Sequence, residues 1–186
     1  MKMSRRIKVV LALGTLSSAV WASTYATFTD SATATSTFTA GSVDLVLNGD
    51  TSDAYSFTSL QSSNLKPGDI IYAPLTVANT GSLSFSYAMA SSSTNADAKA
   101  LRDTLRLGAK LVANAGACDS GGTGYGASST VVMAEGAING QSISARTLAA
   151  GASEVLCFKV ELPSTAGDTL QAATTTTTMT FTATQS

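Results

Sequence analysis

Two cysteines, Cys118 and Cys157, are the residues of this chain whose chemistry is most evident. An even number of cysteines in an exported protein is typical of a disulfide, and two cysteines allow only one intramolecular pairing. Closing a loop of about 40 residues contributes roughly 3–4 kcal/mol in the chain-entropy model. A reactive thiol pair is the alternative, but the spacing lacks the Cys-x-x-Cys pattern that would support it. We therefore expect a structural disulfide.

Histidine is absent from the sequence, and this excludes the zinc motif His-Glu-x-x-His, the Ser-His-Asp triad and the Cys-His dyad. Asp50, Asp53 and Asp69 come nearest to a cation site, because calcium accepts carboxylate oxygens. Solvated turns are the commoner setting for aspartates among Gly, Asn and Ser. The sequence therefore predicts no catalytic residue, no metal and no cofactor.

Alternating apolar and polar residues predict the strands that would position these groups. Leu83–Met89 alternates, and Ile70–Ala78 is a fuller apolar run with turn residues at both ends. The connection 79–82 predicts that the two strands form a β-hairpin, with Gly81 taking a positive φ.

Three more segments alternate in the second half of the chain. In 105–112 the leucines share a face, and in 154–162 Leu156, Phe158 and Val160 do so. Cys157 then lies on the opposite face, where it would hold the loop around Cys118 against the outer side of a sheet. In 174–182 every even position is threonine, a pattern typical of a solvated sheet face, although a mucin-like stalk is the alternative.

One short helix is predicted over Ala96–Asp103, with Thr94 or Asn95 as its N-cap and an acid in its first turn. Short strands separated by Gly, Asn and Asp turns indicate an all-β fold, an antiparallel β-sandwich. Periodicity does not distinguish a jelly-roll from an immunoglobulin-like topology. The length after residue 26 is that of a single domain.

The first 26 residues have the form of a secretory signal peptide. Four basic residues precede an apolar run, Val9–Val20, which is too short for the roughly 20 residues that span a bilayer. Small residues allow cleavage after Ala22 or after Ala26. Because four of the 11 basic residues and none of the 12 acids precede residue 27, the chain from Thr27 to 186 has net charge 7 − 12 = −5. We expect no nucleic-acid partner and no membrane association after signal removal.

The residues around this cut resemble those of the TasA/camelysin family of exported Gram-positive proteins. The resemblance rests on 24–30 (Thr-Tyr-Ala-Thr-Phe-Thr-Asp), on 36–45 with its Phe-Thr-Ala-Gly and Asp-Leu, and on Leu65–Asp69 and Val77–Leu83. The last strands are similar to the actinobacterial branch, whereas 95–153 carries no specific motif. The resemblance implies cleavage by a SipW-type peptidase between Ala26 and Thr27.

The same resemblance implies a secreted, cell-surface or biofilm-matrix protein that self-associates into filaments. Residues 27–39 would be the donor strand that adds to a neighbouring subunit, with Phe28 and Phe38 as its apolar anchors. The segment could instead be the first strand of its own domain or a frayed terminus. A camelysin-like extracellular endopeptidase and a non-catalytic surface binding module are the alternative functions. No small-molecule substrate is indicated.

Overall fold

The computed structural model describes residues 35–52, 54–118, 125 and 130–185. The chain divides into two compact units, Met1–Thr39 and Ala40–Ser186. Residues 35–39 are the described part of the first unit, and they are exposed and have no regular secondary structure. All the described strands belong to the second unit.

The second unit is built from short strands joined by turns, and this confirms the predicted all-β class. Its elements are β1 (Leu45–Leu47), β2 (Ile70–Asn79), β3 (Phe85–Ser93), α1 (Leu101–Thr104), β4 (Arg106–Val112), β5 (Thr130–Ala137), β6 (Ser142–Leu148), β7 (Ser153–Glu161), β8 (Thr177–Gln185) and 3-10 turns at Thr58–Leu60, Ala115–Ala117 and Asp168–Leu170.

The strands form two antiparallel sheets that pack face to face. The larger sheet has the order β1-β2-β7-β4-β5, and the smaller has the order β6-β3-β8. Strands β1 and β5 are the edges of the larger sheet, and β6 and β8 are those of the smaller one, within the described residues. Because successive strands from β2 onward mostly change sheet, most pairings join residues far apart in sequence.

The core lies between the sheets and follows the alternation of the sequence. Phe85, Tyr87 and Met89 of β3 and Leu156 and Phe158 of β7 are each at most 2% exposed. They belong to one hydrophobic cluster. Burying a side chain of this size stabilises the fold by about 1.5–3 kcal/mol, so this alternation is the main determinant of the sandwich.

The predicted hairpin between β2 and β3 is wrong, because the two strands lie in different sheets. Each strand has an apolar face, and the connection turns the chain so that these faces meet across the core. Asn79 holds the connection, since its Nδ2 donates to the carbonyl oxygens of Leu83 at 2.8 Å and Leu148 at 3.1 Å. Gly81 has no positive φ. A Cβ there would come within 2.4 Å of the Ser42 oxygen, so close packing requires this glycine.

The predicted helix over 96–103 is also shorter than expected. Helix α1 covers only Leu101–Thr104, and Ala100 precedes it without a side-chain cap. Ala98 has a φ of 58°, which breaks a right-handed helix at that point. The Asp97 carboxylate accepts hydrogen bonds from the backbone N–H of Lys99 and of Thr174. It therefore holds this connection to the segment before β8 and does not begin a helix.

The disulfide joins Cys118 to Cys157, with 5.3 Å between their Cα atoms. It lies in a separate apolar cluster with Val112 and Tyr125, against which Tyr72 packs. This cluster is on the outer face of the larger sheet, as the alternation around Cys157 predicts. Lys110 stands 4.4 Å from the centroid of the Tyr125 ring, a distance typical of a cation–π contact.

Candidate functional site

A groove lined by apolar side chains and by hydroxyl groups opens between the edge strands of the two sheets, and we call it the β1–β8 groove. Its volume is about 1210 Å³. The residues that line it come from β1, the 51–65 connection, β2, α1, the turn before β6, β7 and most of the segment 173–183. Its size falls slightly above the usual range for ligand pockets, about 300–1,000 Å³, and its elongated lining suits an extended chain.

Strand β8 forms one wall of the groove. Met179, Phe181 and Ala183 point inward and are partly buried, whereas the threonines between them are exposed. The alternation follows from the period-two geometry of a strand. Beyond β8 no further strand completes the smaller sheet in the described part of the chain. Among the described residues the wall therefore ends in a strand edge, a feature of sheets that other strands can pair with.

The opposite wall comes from β1 and the connection that follows it. Leu45 and Leu47 are partly buried there, and Tyr55 and Phe57 continue the apolar surface. Phe57 packs edge-on against Phe158 of the core, with ring centroids 5.8 Å apart. Aromatic pairs in this geometry contribute about 0.5–1.5 kcal/mol beyond their burial, so the loop is fixed to the sandwich.

Charge is scarce along the groove. Asp44 is the single acidic or basic residue among those that line it in the described part of the chain, and its Oδ2 accepts a hydrogen bond from the Thr80 hydroxyl at 2.5 Å. Apart from the amide of Gln61, hydroxyl and apolar groups make up the remainder of the described lining. Such a surface favours an uncharged, partly apolar segment over an ionic ligand.

A charged network crosses the core beside the groove. Arg146 on β6 donates from Nε and Nη2 to the two carboxylate oxygens of Glu154 on β7, at 2.7 and 2.6 Å. The Tyr87 hydroxyl donates to the same carboxylate. Burial alone would raise the pKa of Glu154, but the hydrogen bonds from Arg146 and Tyr87 outweigh it and lower that pKa. Burial and the neighbouring Glu154 raise the pKa of Tyr87.

A second ionic cluster lies on the outer face of the larger sheet. Lys159 Nζ contacts Glu135 at 2.9 Å and Glu161 at 2.7 Å. Burial would lower the pKa of Lys159, but the hydrogen bonds with Glu161 and Glu135 raise it. Since the lysine is paired in this way, it is an unsuitable nucleophile, and the cluster is best explained as support for the sheet.

The predicted site residues are only partly within the described residues. Ala26, Thr27 and Phe28, with the whole of the predicted signal peptide, lie outside them. Phe38 is described and is 90% exposed. Asp53 also lies outside the description.

Two of the three aspartates that were considered as calcium ligands, Asp50 and Asp69, are described, and each stabilises a local turn. Asp50 Oδ1 accepts the N–H of Ser52 at 2.9 Å, and Asp69 Oδ2 accepts that of Lys66 at 2.8 Å. Among the described residues no three His, Cys, Asp or Glu side chains are grouped so as to hold a metal ion.

Sequence patterns missed both the groove and the charged network. One signal could have revealed the network: Glu154 and Arg146 occupy inward positions of strands whose other inward residues are apolar. The groove left no comparable signal, because it depends on which strands become edges.

One family model matches the chain. It is described as camelysin metallo-endopeptidase and covers residues 2–113, which is 112 of 186 residues. No curated protein matches the chain. The description implies a metal, yet the sequence has no histidine and the described residues offer no grouped donors. The residues present therefore do not fit a zinc peptidase centre.

The matched range includes β1, the 51–65 connection and β2, which form one side of the β1–β8 groove. None of the described helices is both long and apolar enough to cross a bilayer. More than half of the sequence lies within the match, and the chain accordingly belongs to the camelysin metallo-endopeptidase family of extracellular proteins.

Proposed function

We propose that this chain is a secreted structural protein whose copies join head to tail. Residues 27–39 of one copy add as a strand beside β8 in the groove of the next. The observation that carries this proposal is the β1–β8 groove, which lies at an edge of β8 that no described strand pairs with. A strand added at such an edge gains main-chain hydrogen bonds, and its alternate side chains enter the groove.

The sequence of residues 27–39 has the alternation that such a strand needs. Every odd position is Thr or Ser, while Phe28, Ala32, Ala34 and Phe38 fall on even positions. With the even face inward, the odd hydroxyls would continue the exposed threonine face of β8. Asp30 and Ser36 are the polar exceptions on the even face. Because an unpaired buried carboxylate is costly, the register must leave Asp30 at a mouth of the groove.

Length also supports the pairing. Strand β8 has nine residues, and the segment 27–39 has 13. Phe28 and Phe38 would stand about 33 Å apart in an extended strand, at roughly 3.3 Å per residue. Nine of the ten residues from Thr174 to Ala183 line the groove, and this stretch spans about 30 Å on the same scale. One phenylalanine would therefore anchor each end.

The exposure of Phe38 is consistent with a segment that binds elsewhere. Its side chain is 90% exposed, although burying a phenylalanine stabilises by about 1.5–3 kcal/mol. The residues next to it, Thr37 and Thr39, are exposed as well. Transfer of Phe38 into the groove of another copy would remove this apolar surface from water.

The proposal is tested with the chain that begins at Thr27. We expect filaments by negative-stain electron microscopy and concentration-dependent growth by sedimentation. Replacing Phe28 and Phe38 with Asp should abolish both, because two carboxylates would then face the apolar side chains of the groove in place of the two rings. The matched control replaces Thr29 and Thr37 with Asp, which adds the same charge on the outward face and should leave assembly nearly unchanged.

Two results would overturn the proposal. One is a wild-type chain that remains monomeric at high concentration. The other is equal loss of assembly in the Phe and Thr variants, which would mean that added charge matters and the inward face does not.

An extracellular endopeptidase is the second candidate function, and the description of the matching family favours it. Casein cleavage by the purified chain, with and without a chelator, tests it. We expect no cleavage in either condition. Chelator-sensitive cleavage would establish a metal centre that the described residues do not contain, and chelator-insensitive cleavage would indicate a peptidase of another class.

A further inference from the structure

The charged network of Tyr87, Arg146 and Glu154 connects the two sheets through the core. Tyr87 is 0% exposed, and the side chains of Arg146 and Glu154 are 26% and 15% exposed. Tyr87 and Arg146 are opposite each other on β3 and β6 of the smaller sheet. Glu154 reaches them from β7 of the larger sheet. The bidentate ion pair therefore joins one sheet to the other.

Stability alone is a weak reason for such a network. Withdrawing two charges from water costs several kcal/mol per ion, and apolar residues of similar volume often stabilise a core equally well. A phenylalanine at position 87 could fill the same space as the tyrosine. The hydroxyl adds direction, because a hydrogen bond to a fixed carboxylate holds the ring in one orientation.

That ring stands directly behind the groove wall. Its centroid is 6.2 Å from that of Phe181, and the backbone of Tyr87 is opposite Ala183 on β8. Both Phe181 and Ala183 line the β1–β8 groove. Tyr87 thus contacts the ion pair of Arg146 and Glu154 and also the groove wall formed by β8.

We propose that Tyr87, Arg146 and Glu154 are positioning residues of the β1–β8 groove. The ion pair fixes the Tyr87 ring, the ring fixes Phe181, and the wall formed by β8 is held ready for an incoming strand. This inference rests on the proposed function, because a fixed wall matters only if a strand binds there. Its structural claim is that the network keeps β8 rigid. None of Tyr87, Arg146 and Glu154 lines the groove.

The test is Tyr87→Phe in the chain that begins at Thr27, with Tyr72→Phe as the matched control. Tyr72 is on the outer face of the larger sheet and packs against Tyr125, with centroids 5.5 Å apart. Hydrogen exchange and sedimentation velocity are measured on each variant. Tyr87→Phe should speed exchange of the β8 amides about tenfold and leave those of β2 and β7 unchanged. It should also raise the concentration for half-assembly about tenfold. The control should alter neither.

Unchanged β8 exchange in Tyr87→Phe would overturn the inference, as would a uniform increase over all strands. A wild-type chain that does not assemble would overturn the proposed function, while the exchange comparison would still decide the positioning role. If Tyr87→Phe does not fold, Glu154→Gln is judged by the same two measurements, since the amide keeps the shape of the side chain and removes its charge.

Discussion

At the scale of single residues, Gly81 is the position where adding a single methyl group should lower the stability of the fold most. A Cβ would meet the backbone oxygen of Ser42 at 2.4 Å and the nitrogen of Asp44 at 2.8 Å. Backbone atoms cannot move aside as a flexible side chain can, so Gly81→Ala should destabilise the fold by about 1–3 kcal/mol. Urea unfolding followed by circular dichroism measures this.

Gly167→Ala is the control for that substitution, because its nearest neighbour would be 4.0 Å away. We expect a change within about 0.5 kcal/mol there. Equal effects at the two positions would mean that crowding at Gly81 is not what the structure indicates.

The unfolding free energy of the fold should depend on pH because of Glu154. Burial alone would raise its pKa, but the Arg146 and Tyr87 hydrogen bonds lower it. A lowered folded-state pKa gives stability that is present above the unfolded value, near 4.3, and is lost as the pH falls through the folded value. The unfolding free energy of wild type should therefore approach that of Glu154→Gln as the pH falls below the unfolded value. A difference that is constant with pH would contradict this.

At the scale of elements, the disulfide ties Cys118 to β7 on the outer face of the larger sheet. Its cysteines are separated by 39 positions, so replacing both with Ser should cost roughly 3–4 kcal/mol in the chain-entropy model. Because Cys157 is on the outer face, the two sheets should stay packed, and the near-ultraviolet spectrum of Tyr87 and its neighbours should persist. Collapse of that spectrum would place the disulfide in the main core instead.

The faces of the strands could be predicted from sequence, but their partners could not. Alternation placed Leu156 and Phe158 inward and Cys157 outward, because period two is a local property of a strand. The β2–β3 hairpin failed since turn residues at 79–82 suit a hairpin and a crossing between sheets equally well. Which one forms depends on Asn79 reaching Leu148, a contact between residues 69 positions apart.

The candidate site was even less accessible to sequence reasoning. The segment 27–39 and its phenylalanines were chosen from the family resemblance, whereas the groove arises only when β1 and β8 become edges. Edge status depends on the order of all strands. The threonine alternation of the last strand was visible in the sequence, but it indicates which face is solvated and not whether an edge is free.

At the scale of the whole molecule, the two sheets differ in width. In the part of the chain that the structure describes, five strands face three, so the larger sheet has apolar surface that the smaller one does not fully cover. One added strand beside β8 would make the smaller sheet four-stranded and would cover the groove. The donor and acceptor surfaces differ, and this makes the contact heterologous, a type that extends into open chains unless it closes as a ring.

This asymmetry predicts complementation between two defective variants. Ala183→Arg places a cation in the groove but keeps residues 27–39 intact, whereas Phe28→Asp with Phe38→Asp impairs the segment and keeps the groove. Each variant alone should sediment as a monomer. Their mixture should form 1:1 dimers and no longer species, because one functional segment meets one functional groove and both remaining surfaces are blocked. Ala90→Arg, on an exposed position of β3, is the control and should still polymerise. Monomers in the mixture would show that the two surfaces do not bind each other, and long polymers would show that assembly uses a different contact.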